Sequence, residues 1–110
     1  MEKIHNKLVR DNIPDIIASD NRTPITRILD QEEYKQELEK KLLEEYNEVV
    51  HTTTSQERIE ELSDMLEIMI SLAQLENKTL NDIVESANSK RVKNGGFNKR
   101  IYLEKVISEK

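Results

Sequence analysis

Five carboxylates stand in two short runs whose spacing could hold a divalent cation: Glu44, Glu45 and Glu48 in the first, Glu61 and Asp64 in the second. Side chains three positions apart on a helix lie on adjacent turns of one face, which pairs Glu45 with Glu48 and Glu61 with Asp64. At about 100° per residue, Glu45 projects at the edge of an apolar stripe, between Tyr34 and Leu38, and Glu61 falls between Ile68 and Leu72, inside an apolar arc. Asp64 borders that arc beside Leu75, while Glu44 and Glu48 lie on the polar side. An ionised carboxylate in an apolar contact is costly unless a cation compensates it. If the two helices fold back on one another, Glu45, Glu48, Glu61 and Asp64 can converge, and an all-oxygen set of that kind suits Mg²⁺ or Mn²⁺ better than Zn²⁺. Lys or Arg is the rival cation, although neither apolar stripe contains one. A solvated acidic face is the plain alternative, and Glu61 is the residue it explains least.

Other chemistry is sparse. Lys90, Arg91 and Lys93, with Lys99 and Arg100 around Gly95-Gly96, could bind phosphates or could simply cap a helix and keep the surface soluble. Lys7 and Arg10 pose the same choice, and for them the solubility reading is preferred. Glu48-Val49-Val50-His51 has the Glu-x-x-His spacing of di-iron bundles, but no second such pair exists and His51 points away from the apolar stripe. His5 has less context still. There is no cysteine, hence no disulfide, thiol nucleophile or thiolate metal site. No Gly-rich phosphate loop or nucleophile elbow is present.

The elements that must position these groups are helical. Hydrophobic residues make up 35% of the 110-residue chain and charged residues another 35%, with two glycines, two prolines and no tryptophan. That balance favours long solvent-facing helices, a mainly α fold, and a single domain over residues 1–110. Asp11 or Asn12 can cap a short helix with Pro14 in its first turn and Ile13, Ile16 and Ile17 on one face. Asp30 and Glu33 read as a capping box opening a helix to about His51, with Tyr34, Leu38, Leu42, Tyr46 and Val49 as its core stripe. Thr54 or Ser55 caps the next, which runs to about Glu76. Thr79 and Asp82 open a third that stops at Asn94-Gly95-Gly96 after a basic last turn. Residues 24–29 and 100–106 read as short strands that could pair in a small two-stranded ribbon, marginal unless it leans on the helices.

On the second long helix the apolar positions, from Ile59 to Leu75, spread over roughly 220° of the wheel. One neighbouring helix cannot cover that width, so the expectation is a deeply buried helix in a bundle completed by oligomerisation, as a homodimer or higher homo-oligomer. The net charge of -5 argues against a nucleic-acid duplex as main partner. The first ten residues lack the apolar run of a signal peptide, and no stretch approaches the roughly 20 apolar residues of a membrane span, which makes the cytoplasm the expected location.

Glu44-Glu45-x-x-Glu48 followed by Glu61-x-x-Asp64 resembles the acidic signature of the all-α nucleoside triphosphate pyrophosphohydrolase superfamily, the MazG-like and phosphoribosyl-ATP pyrophosphohydrolase-like group. Lys7-Leu8-Val9-Arg10-Asp11-Asn12-Ile13-Pro14 and Gly95-Gly96-Phe97 with Ile101-Tyr102-Leu103 resemble one small branch of it, so the likeness extends over nearly the whole chain. The resemblance implies Mg²⁺-dependent cleavage of a nucleotide between its α- and β-phosphates, releasing a monophosphate and pyrophosphate. It implies Glu45, Glu48, Glu61 and Asp64 as metal ligands, with Glu44 as a supporting acid or water-orienting base. Lys90, Arg91 and Lys93 become candidates to hold the leaving pyrophosphate. It also implies helical bundles completed by oligomerisation. A non-catalytic helical assembly, or a nucleotide-sensing module with a structural metal site, is the alternative; hydrolysis of phosphoribosyl-ATP is a narrower variant of the first reading.

Overall fold

The computed structural model describes residues 1–109. It contains four helices, α1 (Ile13–Ser19), α2 (Gln31–Val50), α3 (Ser55–Leu75) and α4 (Leu80–Asn94), and no strand among the described residues, so the fold is mainly α.

Local chemistry sets each boundary. Asn12 occupies the cap of α1 but its side chain makes no capping bond. Pro14 lies in that first turn, where its missing N–H removes one of the donors a cap would serve. Asp30 accepts the Glu33 N–H at 2.9 Å, opening α2. The expected capping box is only half closed, because the Glu33 carboxylate turns to the Arg27 guanidinium at 2.9 and 3.3 Å. At α3 the Thr54 hydroxyl accepts the Glu57 N–H at 3.1 Å, and Glu57 in turn accepts the Thr53 N–H at 3.2 Å. Thr79 and Asp82 form a complete reciprocal box on α4. That helix stops at Gly95, whose φ of 85° suits a residue without Cβ, with Arg91 and Lys93 in the last turn.

The connection over residues 51–54 is too short for α2 and α3 to do anything but fold back, and their hairpin is the main packing unit. Leu38 and Val49 of α2 and Ile68 of α3 are buried in its seam, flanked by half-buried Tyr34, Leu42, Met65 and Leu72. Tyr46, expected in the core stripe, is exposed instead. It lines up with exposed Leu43 and Val50 in a second apolar stripe of α2, at positions i, i+3 and i+7. The wide apolar arc of α3, which packs on both α2 and α4, is only partly covered within this chain: Ile59, Leu62, Leu66 and Met69 form a matching open stripe. Among the described helices, α4 packs on α3 alone.

The expected ribbon between residues 24–29 and 100–106 does not form, and neither segment carries regular secondary structure. Strand pairs of that length persist only on a shared apolar layer, and here Ile25, Ile28, Ile101 and Leu103 meet none. The molecule is accordingly open. Its radius of gyration is 19.3 Å, against about 13 Å for a compact domain of this length. The chain exposes 10471 Å², where a compact monomer of its mass exposes about 6,300 Å².

Candidate metal centre

The hairpin turns two separated acidic runs into one site. With α2 descending to Val50 and α3 rising from Ser55, Glu45 is brought opposite Glu61 and Asp64. One carboxylate oxygen from each of the three lies within 4.8 Å of the other two, and all three residues are half-buried. Oxygens on opposite sides of an octahedral Mg²⁺ stand about 4.2 Å apart. A small contraction therefore brings all three into bonding range of one ion.

The electrostatics favour a cation. Oε2 of Glu45 is buried and has no hydrogen-bond partner. Burial first, then the neighbouring Glu61 and Asp64 carboxylates, holds the Glu45 carboxyl above the usual glutamate range, while Lys41 pulls weakly the other way. Two carboxylates offer no hydrogen to each other, so the buried Glu45 oxygen is eased by a proton shared with Glu61 or by a positive ion. The donor set, oxygen only and clustered, fits a hard divalent cation such as Mg²⁺ or Mn²⁺.

The other sequence candidates lie elsewhere. Glu44 and Glu48 are exposed, and neither belongs to the group of three. Glu48 is one turn from Glu45 on α2 but does not share its burial. Lys90, Arg91 and Lys93 are exposed near the end of α4. Lys90 borders an open groove with Lys78, Asp82 and Ser86, none of them part of the acidic group, and among the described residues no ion pair joins the basic cluster to it.

One residue at the site was assigned to solubility on sequence grounds. The Arg10 guanidinium donates to Oδ1 of Asp64 at 2.8 Å, 54 positions along the chain. The rival cation thus exists, carried by the segment before α1 rather than by either long helix. The one hint of it in the sequence is that it follows the apolar pair Leu8 and Val9, both half-buried in the structure. Arg10 engages Asp64 only and leaves the buried oxygen of Glu45 unpaired.

No protein-family model, no curated protein and no solved structure matches the chain. None of the helices among the described residues is long and apolar enough to cross a membrane.

Proposed function

We propose that the protein is a Mg²⁺-dependent nucleotide pyrophosphohydrolase, cleaving a canonical, modified or damaged nucleoside triphosphate between its α- and β-phosphates. The observation carrying this reading is the convergence of Glu45, Glu61 and Asp64 on one point with the Glu45 oxygen buried and unpaired. The resemblance of the acidic signature to the all-α pyrophosphohydrolase superfamily supplies the reaction.

Glu45, Glu61 and Asp64 would hold the ion, and Glu48, one turn from Glu45, would join them by a change of rotamer. When bound, such an ion neutralises phosphate charge and lowers the pKa of a bound water. Glu44, exposed beside Glu45, would orient the attacking water and accept its proton. Arg10 is placed to move from Asp64 to a substrate phosphate, since a guanidinium binds either anion in the same forked geometry. Lys90, Arg91 and Lys93 remain the candidates for the pyrophosphate.

The active form in this proposal is a homo-oligomer. Two open apolar stripes, Leu43-Tyr46-Val50 and Ile59-Leu62-Leu66-Met69, have the spacing by which helical hairpins pack into bundles. The surface in excess of a compact monomer is roughly 4,000 Å² per chain, so a dimer that covers half of it on each copy buries about 4,000 Å² in all, the size of an obligate interface. The cytoplasm is the proposed setting, where Mg²⁺ and nucleotides meet.

The test is pyrophosphate release from a panel of nucleoside triphosphates with and without Mg²⁺. Turnover that requires the ion and vanishes in Glu61→Ala supports the reading. If no nucleotide is turned over, yet Mg²⁺ raises the Tm of the wild type and not of Glu61→Ala, the site is structural and the protein is a non-catalytic helical assembly or sensor.

A further inference from the structure

The stretch after α4 carries large apolar side chains that nothing covers. Phe97 is 97% exposed, Ile101 79% and Leu103 73%, and Tyr102, Val106 and Ile107 are similarly open. Among the described residues, no backbone hydrogen bond engages residues 101–109. The same holds for residues 24–29, where Ile25 is 91% and Ile28 95% exposed. Two apolar segments rich in β-branched residues, with backbone groups left unpaired, are candidates for strand addition.

Charge points the same way. After residue 89 the chain has seven of its 17 Lys and Arg but only two of its 22 Asp and Glu, a formal +5 set against -10 for the rest. A basic arm and an acidic helical body in one sequence attract each other between copies.

We propose that the arm, Phe97–Ile107, is exchanged between two copies and pairs edge to edge with residues 24–29 of the partner copy. The ribbon that the sequence pattern anticipates then forms between chains rather than within one. Its apolar face seals surface left open on the helical hairpins, and the arm, with Lys99, Arg100 and Lys105 against Glu104 alone, is delivered to the net-acidic body of the other copy. This inference rests on the second copy of the proposed assembly but not on its catalytic reading.

The absence of cysteine allows a direct test. Single substitutions Ile25→Cys and Ile28→Cys are prepared in one pool of full-length chain, Ile101→Cys and Leu103→Cys in another, all at exposed positions where folding is not at stake. Pools are mixed in every combination and oxidised mildly. At least one combination is expected to yield a mixed disulfide between the two chain types, in excess of the like-with-like products of each pool alone. Light scattering on the unmodified chain separates the two levels of the proposal. A monomer overturns both the second copy and the exchange. A dimer in which no mixed pair cross-links, or in which a doubly substituted chain closes its disulfide only within itself, overturns the exchange and leaves the dimer and the hydrolase reading standing.

Discussion

The seam between α2 and α3 and the arm after α4 are both rich in large apolar residues, yet one is packed and the other bare. The hairpin's four-residue connection forces two amphipathic helices together, so burying Leu38, Val49 and Ile68 costs little chain entropy. The arm has no such neighbour: α4 leans on α3 only, and the described side chains beyond Gly95 are all exposed. The same proximity that buries the seam presses Glu45, Glu61 and Asp64 together, while the cations of the arm stay solvated and separate. A hydrophobic segment is therefore not a core element by composition alone. It becomes one where the chain's own connections, or a second chain, supply the opposing surface.

The largest expected effect strikes the seam's site. In the proposed hydrolase, Glu61→Ala would remove one of the carboxylates that hold the ion and should lower Mg²⁺-dependent pyrophosphate release by about 100-fold or more, a few kcal/mol of transition-state stabilisation. Unchanged turnover would mean that the cluster is an ordinary acidic surface. Next in size is a matched pair of truncations read by denaturant unfolding. Ile68→Ala in the seam should cost about 2–5 kcal/mol. Leu103→Ala should leave the unfolding of dilute protein nearly unchanged and instead weaken association. Equal costs would erase the contrast between the two regions.

Smaller, but sharper in sign, is the pH dependence of the metal-free protein. Because Glu45 binds its proton more tightly folded than unfolded, its contribution to stability is complete below the ordinary glutamate pKa and is lost as pH rises through its raised folded value. Tm should therefore fall over that window in the wild type, and Glu45→Gln or saturating Mg²⁺ should flatten the profile; a slope that survives the substitution would assign it to another group. Arg10→Ala removes a solvent-exposed ion pair worth about 0–1 kcal/mol, so stability should barely move. Calorimetric Mn²⁺ titration should nevertheless show tighter binding, since the ion no longer competes with a guanidinium for Asp64. Weaker binding would make Arg10 a support of the site rather than a rival of the ion. Smallest in reach is Thr54→Ala, which deletes the cap of the helix bearing Glu61 and Asp64 and should cost about 1 kcal/mol, measured as a shift in the urea midpoint.

Much of this was legible before any coordinates. Caps at Asp30, Thr54 and Thr79 mark helix starts because hydroxyl and carboxylate side chains satisfy N–H groups that the helix cannot, a purely local matter. The Gly95 stop is equally local. Wheel position singled out Glu45 and Glu61, and these are two of the three that meet. The wheel placed Tyr46 inside and the structure leaves it out, since a helix of 3.6 residues per turn presents two adjacent stripes and only its neighbour chooses between them.

What the sequence determined by itself is the helices, their limits and the two acidic runs, because capping and periodicity act over a few residues. Only the tertiary structure decided that Glu45, Glu61 and Asp64 meet while Glu48 stands apart, that Arg10 rather than a helix residue is the cation at Asp64, and that the two strand-like segments find no partner within the chain. Each of those is a contact between distant positions, fixed by how the hairpin closes and by the surface it leaves uncovered, and periodicity along a single helix carries no information about either.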